Sequence, residues 1–163
     1  MKLETLRELY IDELKDLYSA ETQITKALPK LVETATNSAL RQAFEHHLEE
    51  TRNHVTRLEQ IFEGLDESPK GKTCEGMKGL LKEGDERAGE DGDADVLDAG
   101  LISAAQRVEH YEIAAYGSAR SYAELLGEKE AVRLLTDTLE EEKAADTKLT
   151  QVARKINVEA KAA

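Results

Sequence analysis

A chain of 163 residues is long enough for one domain with a proper core. Its formal net charge of −12, from 34 acidic against 22 basic side chains, repels phosphate backbones; with no Lys/Arg stripe to offset this, no nucleic-acid partner is expected. A single cysteine excludes a disulfide framework and a thiolate cluster. The charged start and the lack of any apolar run near the ~20 residues of a membrane span point to a cytoplasmic protein with no membrane partner.

Aromatic residues are only 4% of the chain, Trp is absent, Pro occurs twice, and Ala, Leu, Glu and Lys abound, so helix is favoured almost everywhere. The first helix is expected over residues 3–36, on a stripe of Leu3, Leu6, Tyr10, Leu14, Leu17, Glu21, Ile24 and Leu28 in which Glu21 is the one charged member. Pro29 falls inside that pattern and predicts a kink rather than a stop. Asn37-Ser38 supplies a turn and an N-cap. The second helix, residues 39–63, is closed by Gly64 and carries Phe44, His47, Glu50/Thr51, His54 and Leu58 inward, with His46 facing solvent.

The stretch from 65 to 93 is a loop with a short, glycine-rich helix over 75–87 and an acidic turn. Asp91, Asp93 and Asp95 alternate as in a calcium loop, but the other EF-hand ligands are absent, so calcium is a minor alternative. The third long helix, 94–126, is capped by Asp93, closed by Gly127, and turns Glu112 inward with Glu109 at the stripe's edge. The fourth, 128–156, has Val132, Leu135, Leu139, Leu149, Val152 and Ile156 on its apolar face. Glu142 and Asp146 fill the steps between Leu139 and Leu149, and the tail from Asn157 is expected to fray.

Short connections pair the first helix with the second and the third with the fourth as antiparallel hairpins. Glu21 lies 16 residues before Asn37, and Glu50 and His54 lie 13 and 17 after it. Glu112 lies 15 residues before Gly127, and Glu142 and Asp146 lie 15 and 19 after it. At 1.5 Å per residue the two sets lie on average roughly 22–25 Å from their turns, so all four helices deliver ligands to one layer. The connection between hairpins is long enough for a crossover topology, although an up-down bundle also satisfies it.

The inward set is therefore Glu21, Glu50, His54, Glu109, Glu112, Glu142 and Asp146, with Glu141 the alternative to Glu142. So many carboxylates cannot stay ionised in a core without cations. Oxygen plus imidazole suits two iron or manganese ions, with zinc a further option. Tyr18, Tyr111 and Tyr116 lie near enough to orient the ligands. The competing reading is that these acids pair with Arg or Lys, or point outward.

Asp12-Glu-Leu-Lys-Asp-Leu-Tyr-Ser-Ala-Glu21, His47-Leu-Glu-Glu-Thr51, Val108-Glu-His-Tyr-Glu-Ile113 and Thr138-Leu-Glu-Glu-Glu-Lys143 together resemble the YciF-like proteins of the ferritin superfamily. Cys74-Glu-Gly-Met-Lys-Gly-Leu-Leu resembles that family's crossover segment. The resemblance covers nearly the whole chain. It implies an all-α, ferritin-like four-helix bundle, two antiparallel hairpins joined by a long crossover, dimeric, in a bacterial stress protein related to rubrerythrin-type di-iron proteins. The family's biochemical role is unproven, and the carboxylate site itself points to Fe(II) oxidation or peroxide reduction as the candidate chemistry. The superfamily's usual Glu-x-x-His step is broken here: Glu50 is followed by Asn53 and then His54, and Glu142 by Ala145 and then Asp146. The expectation is an oxygen-rich site served by one histidine, without a rubredoxin-type cysteine cluster. A non-catalytic bundle acting by association, with a structural or vestigial metal site, is the alternative.

Overall fold

The computed structural model describes residues 3–163; Met1 and Lys2, the first two residues of the expected domain, lie outside the described residues. Its regular structure is helical: α1 (Leu6–Thr34), α2 (Ser38–Leu65), α3 (Glu75–Ala88), α4 (Ala94–Leu126) and α5 (Lys129–Ala162).

Helix ends follow local chemistry more than the apolar stripes do. α1 starts three residues later than the stripe suggests, because Thr5 and Glu8 close a capping box: the Thr5 hydroxyl accepts the Glu8 amide at 3.2 Å and the Glu8 carboxylate accepts the Thr5 amide at 2.8 Å. Leu3 is left outside the helix and half exposed. The helix continues through Pro29 to Thr34. α2 runs past Gly64, since Leu65 is buried, and Asp66 takes the left-handed cap at φ 54°. Gly127, at φ 76°, makes the tight α4–α5 turn as expected. α5 does not fray at Asn157 but continues to Ala162: residues 157–162 contain neither Gly nor Pro, and Lys161 complements the C-terminal dipole.

Two end contacts fix the topology. Asp98, in the first turns of α4, sits against the α1–α2 turn, and Arg7 at the start of α1 pairs with Glu128 at the α4–α5 turn at 3.3 Å. α4 therefore starts where α1 ends, runs antiparallel to it, and runs in the same direction as α2. The bundle is a crossover one, with residues 66–93 carrying the chain back along its length. α3 lies on α1 and α4. Cys74 caps it and is tied to α1 by its amide to Ser19 Oγ (2.9 Å) and its carbonyl to Gln23 Nε2 (3.2 Å). Gly76 lets α3 come this close, for a Cβ there would fall 2.8 Å from the Tyr111 ring.

The core falls into two apolar clusters. Ile24, Leu28, Leu40, Phe44, Leu101 and Leu149 belong to the one beside the α1–α2 turn, and Leu14, Leu17, Leu58, Phe62, Leu135 and Leu139 to the one beside the α4–α5 turn. Along α1, α2 and α5 the switch from one cluster to the other is filled by Glu21, by His47, Thr51 and His54, and by Glu142. A buried polar layer thus separates the two halves.

Candidate metal centre

Helical spacing places the layer. His47 and His54 are seven residues apart, two turns along one face of α2, and Thr51 between them bonds its hydroxyl back to the His47 carbonyl at 2.8 Å. Glu109 and Glu112 stand one turn apart on α4, facing Glu21 of α1 and Glu142 of α5. All six are buried, with Glu21, His54, Glu112 and Glu142 at 0% exposure.

The six side chains form two groups of potential ligands, each with its atoms within 4.8 Å of one another: His47, Glu109, Glu112 and Glu142, and Glu21, His54 and Glu142. Glu142 belongs to both. Its Oε1 lies 2.9 Å from His54 Nδ1, while its Oε2 lies 3.8 Å from His47 Nε2. His47 Nε2 is 3.4 Å from Glu109 Oε1, and His54 Nδ1 is 3.3 Å from Glu21 Oε1.

These contacts do not satisfy the donors and acceptors present. Both oxygens of Glu112 and Glu142, one each of Glu21 and Glu109, both nitrogens of His47 and Nδ1 of His54 are buried without an aligned hydrogen-bond partner among the described residues. Leaving such groups unpaired is costly. Burial holds the Glu109 and Glu112 carboxyls well above the usual carboxylate range, reinforced by their acidic neighbours. Burial opposes charge on the histidines too, but Glu109, Glu50 and Glu142 lift His47 to about 9, and Glu21, Glu141 and Glu142 lift His54 to about 12. A layer that attracts protons this strongly presents oxygen and imidazole donors suited to divalent cations.

Further contacts orient the layer. The Tyr116 hydroxyl donates to Glu21 Oε1. His54 Nε2 faces Glu141 Oε2 at 2.8 Å, and Arg57 clamps Glu141 with two bonds of 2.6 and 2.8 Å, which, against the cost of burial, hold its carboxyl down at about 2. Tyr18 and Tyr111 serve elsewhere: Tyr18 donates to Glu59 and Tyr111 to Asp16.

Of the seven residues expected in the layer, Glu21, His54, Glu109, Glu112 and Glu142 come together. Asp146 does not: it accepts Gln106 Nε2 at 3.0 Å and pairs with His110 at 3.3 Å on the α4–α5 surface. One turn beyond Glu142, the face of α5 has already rotated toward solvent. Glu50 stands at the edge, half buried, 3.2 Å from His46 and 3.7 Å from His47, and belongs to neither group. Where one histidine was expected the layer holds two, for His47 stands with Glu109, Glu112 and Glu142. Its inward position was readable from the stripe, but without a carboxylate four residues away on its own helix it looked like an ordinary core histidine. Glu141 is not a member of either group but the residue behind His54. The calcium alternative finds no support in placement, for Asp93 Oδ1 is occupied in capping Asp95 and Val96 amides at the start of α4.

Fold and site together define a crossover helical bundle with a buried carboxylate–histidine layer at mid-height. Within that class, the chain belongs to the family described as domain of unknown function DUF892, whose model matches residues 5–162. It is 46% identical over 154 residues to Protein YciF of Escherichia coli K12, covering 94% of this chain and 93% of YciF. Its fold matches the crystal structure of the E. coli stress protein YciF with a TM-score of 0.92 at 45% identity, covering 94% of this chain and 98% of that one. It matches YcfI of Rhodopseudomonas palustris at 0.88 and 51% identity, covering 91% and 95%. No helix among the described residues is long and apolar enough to cross a membrane.

Proposed function

We propose that the chain is a ferritin-like protein holding two iron or manganese ions in the mid-bundle layer, acting in a cytoplasmic general or oxidative stress response as a homodimer. The observation that carries this reading is the placing of the two Glu142 oxygens toward two separate ligand groups, as a bridging carboxylate requires. His47, Glu109 and Glu112 would hold one ion, and Glu21 and His54 the other. Ions so held would supply redox chemistry toward Fe(II) or peroxide. Around them the chain's own groups keep geometry: Tyr116 orients Glu21, Glu141 orients His54, and the two apolar clusters exclude water from either side. Similarity to a stress protein supports the cellular role.

The 2.9 Å His54–Glu142 contact favours a second reading, a non-catalytic bundle whose layer is balanced by imidazolium–carboxylate pairs or by a purely structural metal. Anaerobic loading with Fe(II), desalting and metal analysis separates the two. About two metals per chain, with an absorption change on exposure to air, supports the dinuclear reading. Failure to retain metal retires it, and retention with no change in air but a large loss of stability on chelation favours the structural one.

A further inference from the structure

Next to the polar layer, on the α1–α2–α5 side, lies a cavity of about 460 Å³. That is within the ~300–1,000 Å³ usual for small-molecule sites. Ile24, Leu28, Phe44, Val108 and Leu149, all buried, form its walls. Ala43 of α2 and Ala144 and Ala145 of α5 leave it open to the surface, where Gln42, His46 and Lys148 make an exposed rim. The floor holds the buried His47 and Glu109, and Glu50 stands at the edge beside His46.

We propose that this cavity binds a medium-chain fatty acid, its tail against Phe44 and Leu149 and its carboxylate at Lys148. Depth selects the shape of the occupant. The walls are core side chains, which a helix or a second copy resting on the surface does not reach, whereas a flexible aliphatic chain does. Along α2 the lining runs from Ala39 to Glu50, eleven residue steps or about 16 Å, the length of a chain of roughly ten to twelve carbons. Charge selects the head group and its direction. Burying an ionised head group is costly, His47 on the floor already faces Glu109 and Glu142, and Lys148 on the exposed rim has no ion-pair partner among the described residues. The carboxylate therefore stays outside and the tail enters. The pose makes no metal contact and so does not depend on the dinuclear reading, although the cavity floor shares His47 and Glu109 with the polar layer.

Calorimetric titration of the full-length protein with decanoate, before and after chelation, tests the site. The expected result is saturable binding of one decanoate per chain, with no saturable heat from butyrate. Lys148→Glu, an exposed change that leaves packing intact, weakens it by about fivefold or more. Ala145→Phe, which plugs the mouth, abolishes it, with circular dichroism confirming that the helices persist. No saturable binding in either metal state, equal binding of butyrate, tighter binding of decylamine, or unaltered binding by Ala145→Phe would each overturn the proposal. So would a dimer that Ala145→Phe splits and that ignores decanoate, because a second copy would then be the occupant. Loss of metal on chelation with decanoate binding retained leaves the fatty-acid site standing whatever becomes of the dinuclear reading.

Discussion

Glu141 and Glu142, consecutive on α5, hold opposite edges of the same ring: Glu141 Oε2 faces His54 Nε2 at 2.8 Å while Glu142 Oε1 faces Nδ1 at 2.9 Å. Only one can belong to the buried layer, and exposure decides which. Glu142 is fully buried, whereas Glu141 reaches the surface and is locked there by Arg57. The outer carboxylate fixes the ring so that Nδ1 points into the layer, an arrangement that sets both tautomer and orientation of a ligating imidazole.

Replacing Glu141 with Gln keeps the shape but removes the charge that His54 and Arg57 share. The expected outcome is a metal affinity lowered by about 10–100-fold with the layer otherwise intact. Competition titration against a chromophoric chelator measures this. An unchanged affinity would mean that His54 needs no orienting partner.

Protonation of the layer gives the metal-free protein a distinctive pH profile. The Glu109 and Glu112 carboxyls are raised above 4.5, and His47 and His54 are raised from 6.5 to about 9 and about 12. Each group therefore holds protons in the fold that the unfolded chain releases, from pH 4.5 upward for the carboxyls and from pH 6.5 upward for the histidines. Stability falls with rising pH in those windows. Glu141, held down at about 2, and Glu142, which His54 and His47 also hold down against burial, act oppositely, but their contributions are complete above pH 4.5. The melting temperature of chelated protein should drop between pH 5 and 8 by at least ~5 °C, at ~3 °C per kcal/mol. Metal displaces these protons, so loaded protein should lose that slope. A chelated protein as stable at pH 8 as at pH 5 would contradict the described electrostatics.

How much of this was legible in the chain depends on the kind of signal. The four long helices and the depth at which Glu21, His54, Glu112 and Glu142 meet follow from helical period and turn position, both local properties. Period fails at the margins. Asp146 sits four residues after Glu142, yet the 3.6-residue turn carries it far enough round α5 to meet Gln106 and His110 instead. His47 does not stand out from the sequence as a candidate ligand, because the carboxylates it meets, Glu109 and Glu142, come from other helices. The crossover was likewise not decidable, since helix direction rests on a contact 61 residues apart, Asp98 with Asn37.

That contact is the basis of a stability prediction. Asp98 is fully buried and accepts the Thr36 amide at 3.0 Å, the Thr36 hydroxyl at 2.7 Å and the Asn37 amide at 2.7 Å. Asp98→Ala strands two amides and a hydroxyl at the α1–α2 turn. A loss of about 3 kcal/mol is expected from unpaired donors to a buried charge. Chemical denaturation should show it as a lower midpoint at unchanged slope. Because the turn lies far from the layer, metal content of the folded protein should stay at the wild-type value.

The sharpest contrast is between His47 and Asp146. Helical spacing predicts both on the inward stripes of their helices, but only His47 is within 4.8 Å of Glu109, Glu112 and Glu142. His47→Ala removes the one nitrogen donor of that group while leaving Glu21, His54 and Glu142 in place. Metal retention after Fe(II) loading and desalting should fall to about half, with one ion lost and the other kept. Asp146→Ala breaks only the contacts with Gln106 and His110 at the surface, and retention should match the wild type. If the two variants bound metal equally, His47 would be a core histidine balanced by Glu109, and the group on its side of Glu142 would not hold an ion.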